Sequence, residues 1–305
     1  MKIQVKRGTA AALKTANPVL ASGEFCRETD TGFIKCGDGT TAWNSLQYIY
    51  PSDYDSGEQK NSVFDDNASN LGTISNASQA AQFVGDYHVT NGKFGSLKLN
   101  NRITIAGSAL DGSNASWVIA GFDTYYNVGG SHPITSHHLG LIPATHLGNA
   151  VMNDTNTTVG GYVGSKMHTT TMATVTTKLR NTLGTHILMG DRLLSNNMSA
   201  SLYNRYGSAG GASSGWELTD TYAELLTENQ VYGSIVWSSS GYDTGEGKEQ
   251  LPIFRFVNTT YFGRFSWWLR AVTSSTYFAL VSGYGLAHND SASYSFGVRP
   301  LIFVG

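Results

Sequence analysis

Four histidines fall close together, His132, His137, His138 and His146, and such a cluster invites a zinc site. Zinc sites carry recognisable ligand spacings, and neither an HExxH helix nor a matched carboxylate accompanies these residues. In a strand His137 and His138 would face opposite sides, so the four read as hydrogen-bonded or exposed loop side chains. Glycoside cleavage asks for two carboxylates held about 5–10 Å apart. Asp220 with Glu224, or Glu246 with Glu249, offers the residue types, but Thr221 and Glu224 also match a capping box at a helix start. No GxSxG elbow marks a nucleophilic serine. Asp243, Glu246 and Asp290 sit in polar stretches that lack the regular spacing of a calcium loop. The expectation is a chain with no catalytic residue, no metal and no cofactor, and therefore not an enzyme.

The strongest binding signal lies in residues 265–304, FSWWLRAVTSSTYFALVSGYGLAHNDSASYSFGVRPLIFV. Two apolar ends enclose a middle rich in Ser, Thr, Tyr, Gly, His, Asn and Asp. Tyrosine gives large contact area at low entropy cost, while Ser, Asn and Gly give adaptable hydrogen bonding, so the segment reads as a recognition face. The plainer alternative is a set of solvent-facing positions on alternating strands.

The rest of the chain must position that segment. At 305 residues with 40% hydrophobic and 11% aromatic content, about two domains with true cores can form. Charged residues make up 14%, below the usual ~25%, and 35 glycines accompany them, which suits many short strands and turns. A net charge of -2 leaves no basic footprint for nucleic acid. No apolar run reaches the length of a membrane span, so no membrane insertion is expected. The first twenty residues lack an apolar signal core, which points to synthesis in the cytoplasm.

Three regions follow: a compact module over 1–50, a polar linker over 51–80, and a larger domain over 81–305. In the first, Ile3, Val5 and Arg7 alternate with Lys2, Gln4 and Lys6 as a strand, and Thr9 caps a short helix. In the third, Phe83-Val84, Tyr87 to Val89, Leu97 to Leu99, Ile103 to Ile105 and Trp117 to Ala120 suggest strands, with Asn91-Gly92 a tight turn. Met172, Val175, Leu179 and Leu183 form the apolar stripe of a helix over 165–183 that Gly184 stops. A second helix is expected over 221–228, a strand over 186–194, a Gly/Ser loop over 207–215, a strand over 233–237, and a polar excursion over 238–249. Cys26 and Cys36 flank a hairpin-like turn. They face each other if Gly32 takes a left-handed bulge position, and lie on opposite faces if the turn is a two-residue one; reduced thiols are the expected state.

The run KRGTAAALKTANPVLASGEFCRETDTGFIKCGDGTTAWNSLQYI, with its motifs ANPVLASGE, ETDTG and GDGTTAWNSL, resembles the N-terminal β-module of phage tail-fibre and receptor-binding proteins of the major tropism determinant group. That resemblance implies a threefold β-prism, a homotrimer, and attachment to other virion tail proteins. So small a module also buries little surface alone, which favours association.

The pieces MNDTNTTVGGYVGSKM, WELTDTYAELLTENQVYGS, LPIF, WWLRAVTSSTYFALVSGYG and GVRPLIFVG look like a phage-associated family ending in a WLR…GVRP pattern, itself similar to the C-type lectin-like fold. The implied fold class is α+β: a small all-β module followed by a C-type lectin-like domain with two helices and mixed short strands. Trp268, Leu269, Arg270, Val298, Arg299 and Pro300 would be scaffold. Contacts with a host cell-surface protein or glycan would fall on Thr273, Ser274, Ser275, Tyr277, Ser282, Tyr284, His288, Asn289, Asp290, Ser293 and Tyr294. In the resembled group this segment is diversified by a retroelement that alters adenines. The expected role is a virion tail-tip receptor-binding protein. The alternatives are a structural virion decoration protein and a surface-glycan depolymerase.

Overall fold

The computed structural model describes residues 5–30, 33–49, 57–199, 212–238 and 249–305. The chain divides into two compact units, Met1–Asp55 and Ser56–Gly305. In the first, β1 (Lys6–Gly8) runs parallel to β2 (Phe25–Glu28), which pairs antiparallel with β3 (Ile34–Cys36). The expected first strand is thus present in part, and residues 1–4 lie outside the described residues. Between β1 and β2 sits α1 (Ala10–Ala16), where the Thr9 hydroxyl accepts from the Ala12 amide as anticipated. Cys26 pairs with Lys35 and Cys36 with Phe25, so the cysteines are offset by one register position and face opposite sides as free thiols. The core is small, built from Leu20, Cys26, Trp43 and Leu46. Lys35 closes it, donating to the Trp43 carbonyl at 2.7 Å while its ammonium lies over the rings of Trp43 and Tyr48.

The second unit begins with α2 (Gly57–Lys60), β4 (Asn70–Ile74) and α3 (Ala77–Asp86), a stretch expected to be mostly linker. β4 pairs with β5 (Arg102–Ile105) at the rim of a sheet and turns only Ile74 fully inward, which is why so polar a sequence can be a strand. Phe83-Val84 is helical rather than extended, because Ala80, Phe83 and Val84 bury one helical stripe and Asn76 caps the start by accepting from the Gln79 amide. Tyr87 ends that helix, and Val89 to Asn91 form a single 3-10 turn closed by left-handed Gly92. Leu97 to Leu99 contributes only one bridge, from Leu99 to Phe64.

β6 (Ala115–Phe122), β7 (Leu139–Pro143) and β8 (Asn149–Val151) follow. A π turn, Met167–Met172, then runs into α4 (Ala173–Leu183), whose buried Met172, Val175, Leu179 and Leu183 are the stripe read from the sequence. β9 (Gly190–Ser199) and β10 (Ala212–Thr221) form a separate two-stranded ribbon, so 212–215 is strand rather than loop; 207–211 lies outside the described residues. The helix expected over 221–228 is instead mostly extended. Residues Ala223–Leu225 are β11, paired with the last strand, and the helix α5 (Glu228–Tyr232) starts beyond it on a capping box of Thr227 and Gln230. Both Thr-x-x-Glu and Thr-x-x-Gln satisfy the local rule, and the tertiary pairing of β11 selects the second. Residues 233–237, expected as a strand, form bends, and 239–248 lies outside the described residues.

After α6 (Ile253–Phe256) come β12 (Trp267–Val272), β13 (Tyr277–Val281), β14 (Ala287–Ser291), β15 (Ser295–Gly297) and β16 (Pro300–Val304). They split between two sheets, ordered β11-β16-β7-β6-β5-β4 and β14-β13-β12-β15-β8. The architecture is mixed α and β. β12 and β16 are buried along their whole lengths. Trp267 and Trp268 alone each stabilise the core by about 1.5–3 kcal/mol or more.

Candidate binding face

The GVRP stretch is where the chain passes from one sheet to the other. Gly297 is required there, because a Cβ would meet the His146 Cβ at 2.9 Å. Arg299 is fully buried, donates from Nε to the Pro143 carbonyl at 3.0 Å, and lies over the rings of Phe262 and Trp267. Burial pushes its guanidinium down to about 9. Arg270, also buried, is held by the β11 end, where its Nη1 donates to the Leu225 carbonyl. These residues are scaffold.

They support the β13–β14 hairpin, with β14 the outermost strand of its sheet. Its tip is a tight turn: the Ser282 amide donates to the Leu286 carbonyl, the Leu286 amide donates back to the Ser282 hydroxyl, and Gly285 takes φ 83°. The Gly285 carbonyl accepts from both the Tyr232 and Thr259 hydroxyls. Burial and the nearby Glu228 charge push the Tyr232 phenol well up, so it stays a donor. A braced tip therefore carries Tyr284 and Leu286, 82% and 67% exposed. Beside them the half-buried Trp237 donates to the Ala287 carbonyl and stacks on exposed His288.

The opposite end of the hairpin is a second cluster. The β12–β13 turn is gripped by Thr158, whose amide and hydroxyl donate to the carbonyls of Ser275 and Ser274. The Asn156 side chain accepts from the Ala292 amide, holding the neighbouring turn. Tyr277 and Tyr294 project here. Five residues of β13 at about 3.4 Å each separate the two ends by on the order of 15 Å, so the three tyrosines do not form one patch.

The expected contact residues therefore divide. Tyr277, Tyr284, His288 and Tyr294 are exposed, and Ser275, Asp290 and Ser293 are half-buried. Thr273 is buried, donating to the Tyr277 carbonyl and accepting from Asn289; Ser274 accepts from the amides of Thr276 and Tyr277; Ser282 braces the tip. Those three side chains, with Asn289, hold the hairpin's shape. Trp237 and Leu286 were missed, because one lies outside the final segment and the other is an apolar residue in a polar run.

The chemistry candidates elsewhere have structural partners. Asp220 pairs with His132, His137 with Asp123, and His138 is buried between the carbonyl oxygens of Ser136 and Thr124. Glu224 is buried, accepting from the Tyr162 phenol at 2.6 Å with His168 Nδ1 at 2.8 Å, so it forms no pair with Asp220. Glu246 lies outside the described residues, and Glu249 pairs with Arg255. Among the described residues no three His, Cys, Asp or Glu converge as a metal site, and no helix is long and apolar enough to cross a membrane.

Residues 3–41 match the major tropism determinant N-terminal domain family. A hyaluronoglucosaminidase of Streptococcus pyogenes phage H10403 is 30% identical over 112 residues, 37% of this chain and 32% of that protein. A group A streptococcal phage-encoded tail-fibre showing hyaluronan lyase activity is 41% identical over 18% of this chain and 17% of its own, with a TM-score of 0.17. A hyaluronidase trimer solved with ascorbic acid is 41% identical over 18% of this chain and 16% of its own, also at 0.17. The chain thus spans about a third of the curated relative and less of the solved fibres. It is similar to phage tail-fibre proteins. The expectation of a non-enzyme is corrected by the curated relative, which is named as an enzyme, a hyaluronoglucosaminidase.

Proposed function

We propose that this chain is a receptor-binding component of a phage tail, carried at the virion's tail tip as a homotrimer, whose C-type lectin-like distal unit grips a host-surface glycan or protein through the β13–β14 hairpin. The observation that carries this reading is the braced tip, with Tyr284 and Leu286 held out beside the Trp237–His288 stack. Exposed aromatic area on a stiff support binds at low entropy cost, and three weak sites on one particle raise avidity by roughly 100- to 10,000-fold. Tyr284→Ala with Leu286→Ser should cut adsorption of purified protein to host cells at least tenfold while circular dichroism stays unchanged. Unchanged adsorption would overturn the role of the tip. Diversification of the final segment is tested by looking for a near-copy of its coding sequence beside a reverse transcriptase gene.

The names of the relatives favour a second reading, cleavage of a host or capsular glycan by the fibre that carries this chain. Release of unsaturated uronic-acid ends from hyaluronan by the purified chain supports it, and no release under conditions where a hyaluronan lyase acts removes it.

A further inference from the structure

We propose a second ligand site on the distal unit: the groove between α4, the turn that follows it and the β10–β11 corner binds an anionic, polyhydroxylated ligand, a sugar or polyol bearing carboxylate or phosphate. The groove has a volume of about 630 Å³, within the ~300–1,000 Å³ typical of small-molecule sites. Arg180 enters it from the last turn of α4, with its guanidinium carbon 4.9 Å over the ring of Tyr222. A ring beneath the guanidinium takes up none of its N–H donors, the groups that pair bidentately with a carboxylate or phosphate. Among the described residues no ion pair or hydrogen bond spends those donors.

The surroundings suit a saccharide. Asn181, Thr176 and Thr185 line the groove with an amide and two hydroxyls whose side chains make no hydrogen bond among the described residues. Met189, 45% exposed, adds an apolar lip on which the C–H face of a sugar ring can pack. A cation in the last helical turn also answers the helix dipole, but that role needs neither the ring beneath it nor the groove around it. The groove shares no residue with the hairpin. Its biological use rests on the host-surface reading above, whereas its chemistry can be measured alone.

The test is calorimetric titration of the full chain with three probes: a hyaluronan octasaccharide, a glycerol phosphate oligomer and a neutral chito-oligosaccharide. One or both anionic probes should bind and the neutral one should not, and whichever binds identifies carboxylate or phosphate as the source. Arg180→Gln should weaken that binding at least tenfold, and Tyr222→Phe, which keeps the ring, should leave it within twofold. Failure of both anionic probes, equal binding of the neutral probe, or unchanged affinity in Arg180→Gln overturns the proposal. Host-cell adsorption measured in parallel separates the two readings. An Arg180→Gln chain with unchanged probe affinity beside a Tyr284→Ala chain that no longer adsorbs sinks the groove alone. Lost probe affinity in Arg180→Gln beside full adsorption of Tyr284→Ala supports the groove and sinks the hairpin reading.

Discussion

Glu228 is completely buried, yet its carboxylate is satisfied by the chain that wraps it, accepting from the amides of Val236, Trp237 and Ser238 and from the Ser238 hydroxyl. Glu228→Ala strands four donors at once. It should destabilise the distal unit by about 3 kcal/mol or more in urea unfolding, and would also free Trp237, so His288 loses its stacking partner. A change below about 1 kcal/mol would show that water replaces the carboxylate readily. Arg299→Lys is similarly costly, about 2–4 kcal/mol by the same measurement, because an ammonium can neither lie flat between Phe262 and Trp267 nor reach the Pro143 carbonyl from the same position. At this scale the sequence was informative about type and poor about partners. The arginines of WLR and GVRP were expected as scaffold because the resemblance to the WLR…GVRP family implies that role. Glu228 was not, since its partners are backbone amides that no side-chain pattern encodes.

The π turn Met167–Met172 and α4 make one element, and His168 ties the turn to β11 through Glu224. Burial lowers the proton affinity of His168, but the hydrogen bond to Glu224 and the charges of Glu224 and Glu217 outweigh it, against opposition from Arg270, leaving its pKa above the ordinary 6.5. The Tyr162 phenol, raised well up by burial and by Glu224, faces the same carboxylate and stays neutral. A raised folded pKa means that this contribution is complete below 6.5 and is lost as pH rises through the folded value. Thermal melts of the distal unit should therefore show stability falling as pH is raised past neutrality, and His168→Gln should flatten that slope; an unchanged slope in the variant would assign it elsewhere. Periodicity found α4 because four apolar residues repeat at three and four. It misread Phe83-Val84 and residues 221–228, where short runs fit either period and long-range pairing decides, with β16 claiming Ala223–Leu225.

On the scale of the molecule, the first unit couples a four-residue core to exposed Val5, Val19, Phe25 and Ile49. That balance favours self-association, so the intact chain should sediment as a trimer and Phe25→Asp as a monomer at micromolar concentration; a monomeric wild-type chain would remove the trimer from the account. The N-terminal module was legible because its motifs are contiguous, whereas the linker reading over 51–80 failed because β4 draws its burial from β5, far along the chain. The central claim, that the hairpin tip is the face that meets the host, is tested most directly by oxidative footprinting of tyrosines on the intact chain with and without host cell walls. The account predicts strong protection of Tyr284, weaker protection of Tyr277 and Tyr294, and none of Tyr126, which is 40% exposed elsewhere in the distal unit. Equal oxidation of Tyr284 in both samples, with cell walls demonstrably bound, would contradict it.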